Sequence, residues 1–141
     1  MSEAEAFFDT SVLLYLLSAD TAKADRVEHL LAEPGVISVQ VLNEFTAVAS
    51  RKLGMPPADT REILDIVRAV CRTEPLTVED HDRAAGIADR YRFSFYDSLI
   101  VASALRAGCR TLYSEDLHHG QVIDRQLTIV SPFRGGWRAG S

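Results

Sequence analysis

The sequence predicts a single α/β domain built on a mostly parallel β-sheet, flanked by helices on both faces. Three observations predict it. Short apolar, β-rich runs alternate with longer segments of helical periodicity, the pattern that parallel crossovers require. The length of 141 residues matches one domain and suffices to bury a core. A hydrophobic fraction of 47% and a charged fraction of 25% are ordinary for a soluble globule, and no apolar run approaches a membrane span.

The elements follow in order. Residues 2–5 are polar and expected to fray. Ala6–Phe8 reads as the first strand, Asp9 as the turn after it, and a helix is expected from about Val12. Residues 21–31 carry Val27, Leu30 and Leu31 on one helical face, and Glu33-Pro34-Gly35 breaks that helix. Residues 36–39 read as a buried strand. Val41, Phe45 and Val48 recur at helical intervals between about residues 40 and 52, with Gly54 and Pro56-Pro57 as the stop. Asp59-Thr60-Arg61-Glu62 has the form of a capping box, opening a helix with Ile63, Ile66, Val67 and Val70 on its apolar face. Residues 73–76 read as a third strand, at an edge because of Pro75. Thr77-Val78-Glu79-Asp80 resembles another cap, for a helix running to about Arg90. A loop over 91–96 leads into a helix from Ser94 to about Ala107, closed by Gly108. Residues 110–113 and Leu127–Val130 read as the last strands. The domain is expected to end near residue 133, with residues 134–141 as a Gly-rich, mobile tail.

The net charge of -5 argues against a generic nucleic-acid coat, which would be basic. It leaves room for a nucleic-acid enzyme, whose catalytic carboxylates count against the total. Cys71 and Cys109 have no metal-ligand spacing and read as reduced core thiols of a cytoplasmic protein. The N-terminus lacks the charged-then-apolar order of a signal peptide.

Four acids stand out. Asp9 sits where the first strand ends, although Asp is also a good helix N-cap. Glu44 flanks the Val41/Phe45/Val48 stripe, where a long side chain can also reach solvent. Asp97 precedes Ile100, Val101 and Ala104 at i+3, i+4 and i+7, which puts a carboxylate at the head of the buried stripe. A capping box with Ser94 accounts for an acid there but not for its direction. Asp116 follows the strand at 110–113, in a position where a surface turn would also favour Asp. Glu115 reads as a solvated charge.

Together the four point to one place. Strand ends and the helix starts that follow them share an edge of a parallel sheet, where ligands bind. Two charges about 5 Å apart cost roughly 3 kcal/mol at an effective dielectric near 20. Several such pairs require a compensating cation or raised pKa values. Oxygen donors alone select a hard ion, Mg2+ or Mn2+, which suits phosphodiester hydrolysis.

At these residues the chain resembles the PIN-domain family, and more closely its VapC-type toxins. The matching pieces are Phe8-Asp9-Thr10-Ser11-Val12-Leu13, Asn43-Glu44-Phe45, Phe95-Tyr96-Asp97-Ser98-Leu99-Ile100-Val101-Ala102-Ser103-Ala104, and Leu112-Tyr113-Ser114-Glu115-Asp116-Leu117. In order, they cover residues from about 7 to 130. The resemblance implies a five-stranded parallel sheet between helices and Mg2+- or Mn2+-dependent endoribonuclease activity. It further implies homodimerisation and inhibition by a cognate antitoxin protein. Carried over by position, Asp9, Glu44, Asp97 and Asp116 would be the catalytic, metal-binding acids, with Thr10 and Ser114 as supporting hydroxyls. Two positions depart from the pattern. Ser11 stands where many members have Asn, which would loosen a supporting hydrogen bond, and Leu117-His118-His119 follows where many have a further acid.

His118 and His119 read as loop residues, with phosphate contact as the alternative. Arg51, Lys52, Arg90, Arg92 and Arg110 are candidates for guiding RNA to the acidic edge, against ordinary solvated surface. Two rival functions are weighed. A phosphatase with Asp9 as nucleophile would want a second Asp at Ser11 and a Lys later in the chain, and no Lys follows Lys52. A non-catalytic module would use the same acids to bind a basic partner or a structural ion.

Overall fold

The structure, a computed structural model, describes residues 5–134; the expectations for residues 2–4 and 135–141 lie outside the described residues. A six-stranded sheet has the order β3-β2-β1-β4-β6-β5. Its strands are β1 (Ala6–Phe8), β2 (Gly35–Ser38), β3 (Cys71–Glu74), β4 (Thr111–Tyr113), β5 (Val122–Ile123) and β6 (Leu127–Val130). All neighbours pair in parallel except β5 with β6. In the centre, Phe7 pairs with Val36 on one side and Leu112 on the other, all fully buried. The helices are α1 (Thr10–Leu13), α2 (Thr21–Leu30), α3 (Val39–Arg51), α4 (Pro57–Val70), α5 (Val78–Tyr91) and α6 (Phe95–Arg106). A 3-10 turn over Leu14–Leu17 follows α1.

The five foreseen strands form as a mostly parallel set. The sixth, β5, escapes sequence reading because two residues carry no periodicity. Turn chemistry forms it instead: Asp124 and Arg125 both have positive φ, of 49° and 58°. Tyr91 holds that turn, its hydroxyl donating to Asp124 Oδ1 at 2.9 Å and accepting the Asp124 amide at 3.0 Å.

Two helices differ from expectation. In α4, Pro57 takes the first turn with Pro56 as N-cap and no side-chain cap, so the Asp59 capping box does not form. The buried face is Thr60, Leu64 and Val67, while Ile66 is 62% exposed and Val70 47% exposed. Thr60 hides this face from a search for apolar residues. Its hydroxyl donates back to the Pro56 carbonyl at 3.5 Å, which gives it a partner within the helix although the residue is buried. The other is α6, which is buried all round from Ser98 to Leu105 rather than along one stripe. It packs against α5, α3 and β2. Gly108 closes it with φ 77°.

One ion pair joins α5 to α6. Asp80 completes a capping box with Thr77 and is only 1% exposed. Arg106 Nε donates to Asp80 Oδ1 at 2.8 Å. Burial works against ionising Asp80. Hydrogen bonds from Arg106 and the Thr77 amide outweigh it and hold the carboxyl below its usual range.

Gly35, at the start of β2, has no room for a side chain: a Cβ there would lie 2.7 Å from Phe8 Cε2 and 3.2 Å from Cys71 Sγ. The Phe8 ring is buried against Tyr113, with centroids 5.4 Å apart, and has nowhere to turn. Gly35→Ala is expected to cost about 1–3 kcal/mol of stability, measured by urea unfolding.

Candidate active site

Asp9 is the first residue after β1, and its backbone amide still donates across the sheet to the Tyr113 carbonyl at 2.9 Å. It also N-caps α1, with the Thr10 amide donating to Oδ1 at 2.8 Å. Both roles named for it in the sequence therefore hold together. Only 3% of the residue is exposed. Two hydroxyls, Ser11 Oγ and Ser114 Oγ, donate to its other oxygen, Oδ2, each at 2.8 Å.

Those hydroxyls also tie down the segment after β4. Ser114 Oγ accepts the Asp116 amide at 3.2 Å and the Leu117 amide at 3.3 Å. Ser11 Oγ accepts the Glu115 amide at 3.2 Å. Ser11 is thus a bridge between the two loops, not the loosened contact expected at that position. Thr10 Oγ1 reaches the other way and donates to Glu44 Oε1 at 3.0 Å. Glu44 is half-buried on α3, beside the fully buried Val41 and Phe45, as the stripe predicts. Asp97 is the third residue of α6. Its amide donates to the Ser94 hydroxyl at 3.1 Å, and this cap uses the Asp97 backbone and not its carboxylate.

The four acids share one electrostatic field. Burial pushes Asp9 from 3.8 up to about 7. Hydrogen bonds from Ser114 and Ser11 oppose the rise, and the charges of Asp97 and Asp116 add to it. Burial also raises Glu44, against the Thr10 hydrogen bond, and Asp97 and Asp116 raise it further. Asp116 is raised by burial and then by Asp97 and Glu115. Asp97 and Asp116 thus lie near enough to act on Asp9 and Glu44 electrostatically, but among the described residues no three His, Cys, Asp or Glu side chains form a ready-made metal cage. The donor set still fits Mg2+ or Mn2+: it is all oxygen, and Mg2+ typically takes one or two carboxylates and keeps its waters.

Other residues fall out differently. Glu115 is not simply solvated, because the Tyr15 hydroxyl donates to it and that bond pushes the phenol up to about 12. Tyr15 was invisible in the sequence because it sits inside an apolar run. His119 Nδ1 accepts the Ser131 amide at 2.9 Å, a structural tie, and His118 is exposed. Of the basic candidates, Arg90 is bound by Asp124 at 3.1 Å and Arg110 precedes β4. Both therefore lie at the N-terminal edge of the parallel strands, opposite Asp9. Arg92, two residues beyond Arg90, is the left-handed C-cap of α5. Arg51 ends α3, and Lys52, next to it, lines an open groove of about 590 Å³ together with Glu44, Glu115 and Asp116.

A family model described as PIN domain matches residues 6–123. Among solved structures, the fold is similar to VapC20 of Mycobacterium tuberculosis, a sarcin–ricin loop cleaving toxin. Identity is 24%, TM-score 0.66, and the match covers 79% of this chain and 90% of that one. It is also similar to a toxin–antitoxin complex from Klebsiella pneumoniae, at 18% identity and TM-score 0.67, covering 91% of this chain and 98% of that one. DNA-bound VapBC from Salmonella typhimurium matches at 15% identity and TM-score 0.67, covering 92% of this chain and 99% of that one. No curated protein matches significantly by search.

The raised Asp9 makes a stability prediction. A carboxyl moved from 3.8 to about 7 holds its proton more tightly folded than unfolded. Its contribution is therefore most favourable below pH 4 and is lost as pH rises through 7. The full cost of ionising it in the fold is about 4 kcal/mol. In EDTA at pH 8, Asp9→Asn is expected to unfold at higher urea than the parent, by up to that amount. The gap should close toward pH 4.

Proposed function

As the chain belongs to the PIN-domain family, we propose that it is an endoribonuclease dependent on Mg2+ or Mn2+ and the toxin of a toxin–antitoxin pair. One observation carries the reading. A carboxylate only 3% exposed is driven up to about 7 at the C-terminal end of a parallel strand, partly by two other acids distant in sequence. Perturbed carboxylates gathered at such an edge are the mark of a reactive centre.

Asp9, Glu44, Asp97 and Asp116 would hold the ion. When bound, such an ion supplies Lewis acidity toward a phosphodiester. The chain's own residues do the positioning. Thr10 and the two serines hold both oxygens of Asp9, so its carboxylate cannot swing. The Thr10 hydroxyl fixes Glu44, and Ser114 fixes the backbone of Asp116. Uncompensated, these acids would repel RNA; a cation reverses the sign of the local field.

The relatives support this substrate and setting by analogy. One is described as a sarcin–ricin loop cleaving toxin, and another is a toxin–antitoxin complex. An antitoxin could block the acidic groove with an Arg side chain, which pairs bidentately with carboxylates. The toxin would act as a homodimer in the cytoplasm, consistent with the free, buried thiols Cys71 and Cys109. No described helix is long and apolar enough to cross a membrane.

A second reading, the non-catalytic module, is favoured by the lack of a three-ligand cage among the described residues and by Leu117 where a further acid is common. Incubation of total RNA with the protein separates the two. Cleavage is expected with Mg2+ or Mn2+ and not with EDTA. Asp9→Ala or Asp97→Ala should lose more than the ~100-fold typical of removing an outer-shell partner, while the far-UV circular dichroism stays that of the parent. Expression of the parent, but not of Asp97→Ala, should arrest growth. A protein that binds Mn2+ and cuts no RNA would decide for the module.

A further inference from the structure

The last described residues are fastened at the border of the acid groove. Arg26 Nε donates to the Pro132 carbonyl at 2.9 Å, and the Phe133 ring packs edge-on against Tyr15 with centroids 4.9 Å apart. Lys23 Nζ lies over both rings, 5.1 Å from the Tyr15 centroid and 5.0 Å from that of Phe133. Tyr15 also forms part of the groove wall, and its hydroxyl donates to Glu115, which lines the same groove. The chain therefore enters residues 135–141 from a point held beside the acids.

That segment reads Gly135-Gly136-Trp137-Arg138-Ala139-Gly140-Ser141, with one large aromatic, one cation and no acid. The groove offers the complement. Glu44, Glu115 and Asp116 give it carboxylates, and Leu14, Leu17 and Leu53 give it apolar surface. Leu53 is 55% exposed, so much of that surface faces water. A volume of about 590 Å³ lies in the range that holds a small ligand. Trp137 is four residues past Phe133, and about 3.5 Å per residue gives a reach of roughly 14 Å before the indole is counted.

We propose that residues 135–141 occupy this groove as a strap when no ion is bound, with the Trp137 indole on the leucines and the Arg138 guanidinium paired with the carboxylates. Guanidinium–carboxylate pairs are the strong form of such a contact, and covering Leu53 adds apolar burial. A short flexible linker holds the segment at an effective concentration in the mM range, so contacts too weak for a free peptide suffice. An ion at the same acids competes for the same charge and displaces the strap. The proposal rests on the ribonuclease reading for what the strap restrains, and not for the contact itself.

The test uses the full chain, whose one tryptophan is Trp137, so its intrinsic fluorescence reads the segment directly. In EDTA at low salt, Trp137 should emit as a partly shielded indole. Arg138→Gln and Leu53→Ser, the latter at an exposed position, should each red-shift the emission and raise its quenching by acrylamide about twofold. Mg2+ should do the same to the parent, and 1 M KCl should do so without metal by screening the pair. A strap seated on about two-thirds of the molecules weakens the apparent affinity for the ion about threefold. Arg138→Gln should therefore reach half-maximal RNA cleavage at about threefold lower Mg2+. Emission and quenching unchanged in both variants overturn the strap. Shielding that grows with protein concentration also overturns it, by assigning the contact to a second copy. Shielding that persists in saturating Mg2+ overturns the competition. If the variants release Trp137 but the parent cuts no RNA with any metal, the ribonuclease reading falls and the contact stands. If the parent cuts RNA and Trp137 never responds, the reverse holds.

Discussion

The structure depends on one unfavourable burial. Asp9 has been taken out of water at the end of the central strand, and among the described residues no cationic side chain is hydrogen-bonded to it. A buried carboxylate of this kind must either keep its proton or find compensation. Here an amide and two hydroxyls supply part of it, and the rise to about 7 measures what they leave over. Most of the local design follows from that deficit. Ser11 and Ser114 stand where they do because Asp9 Oδ2 needs donors, and by donating they also fasten the segment that carries Asp116.

The parallel sheet makes the arrangement cheap to specify. β1 and β4 are neighbours in register, Phe8 opposite Tyr113, so the residues after each strand emerge side by side. The crossover after β2 starts α3 from the same edge and brings Glu44 within reach of Thr10. Each acid needs only a correct place in its own element, and the topology does the gathering. Gly35 contributes by close approach, because its missing side chain leaves room for the ring of Phe8, the last residue of β1 before Asp9.

This division explains what could be read in the sequence. Strands β1, β2, β3, β4 and β6 and the longer helices announced themselves through apolar runs, caps and breakers. The electrostatic coupling of Asp9, Glu44, Asp97 and Asp116 was foreseeable because strand ends and the helix starts that follow them share one edge of a parallel sheet. What stayed hidden obeyed no period. β5 exists because Tyr91 holds the turn at Asp124, a contact across 33 residues. The face of α4 was misread because Thr60 packs like an apolar residue once its hydroxyl has a local partner. Ser11 looked like a weakness, since its second bond, to the Glu115 amide, lies 104 residues away. Short hydroxyl side chains signal such roles only through their partners, and partners are a property of the fold.

Charge pairing elsewhere in the molecule sharpens the contrast. Asp80 is matched by Arg106, Asp124 by Arg90 and Arg83, Glu5 by Arg72, and Glu74 by Arg72 and Arg106. These four arginines thus pair with acids that hold elements together. At the C-terminal edge of β1 and β4 the opposite holds: Asp9 bonds to an amide and two hydroxyls and Glu44 to a hydroxyl, and among the described residues no Arg or Lys pairs with the four acids. A chain with 15 basic residues could have neutralised this edge. Leaving it unpaired costs stability, and a positive group arriving from solution would offset that cost. A hard cation, or the basic side chain of a partner, would meet that need, and both would compete for the same charge. That competition is how a single acidic edge could serve a reaction and its inhibition alike.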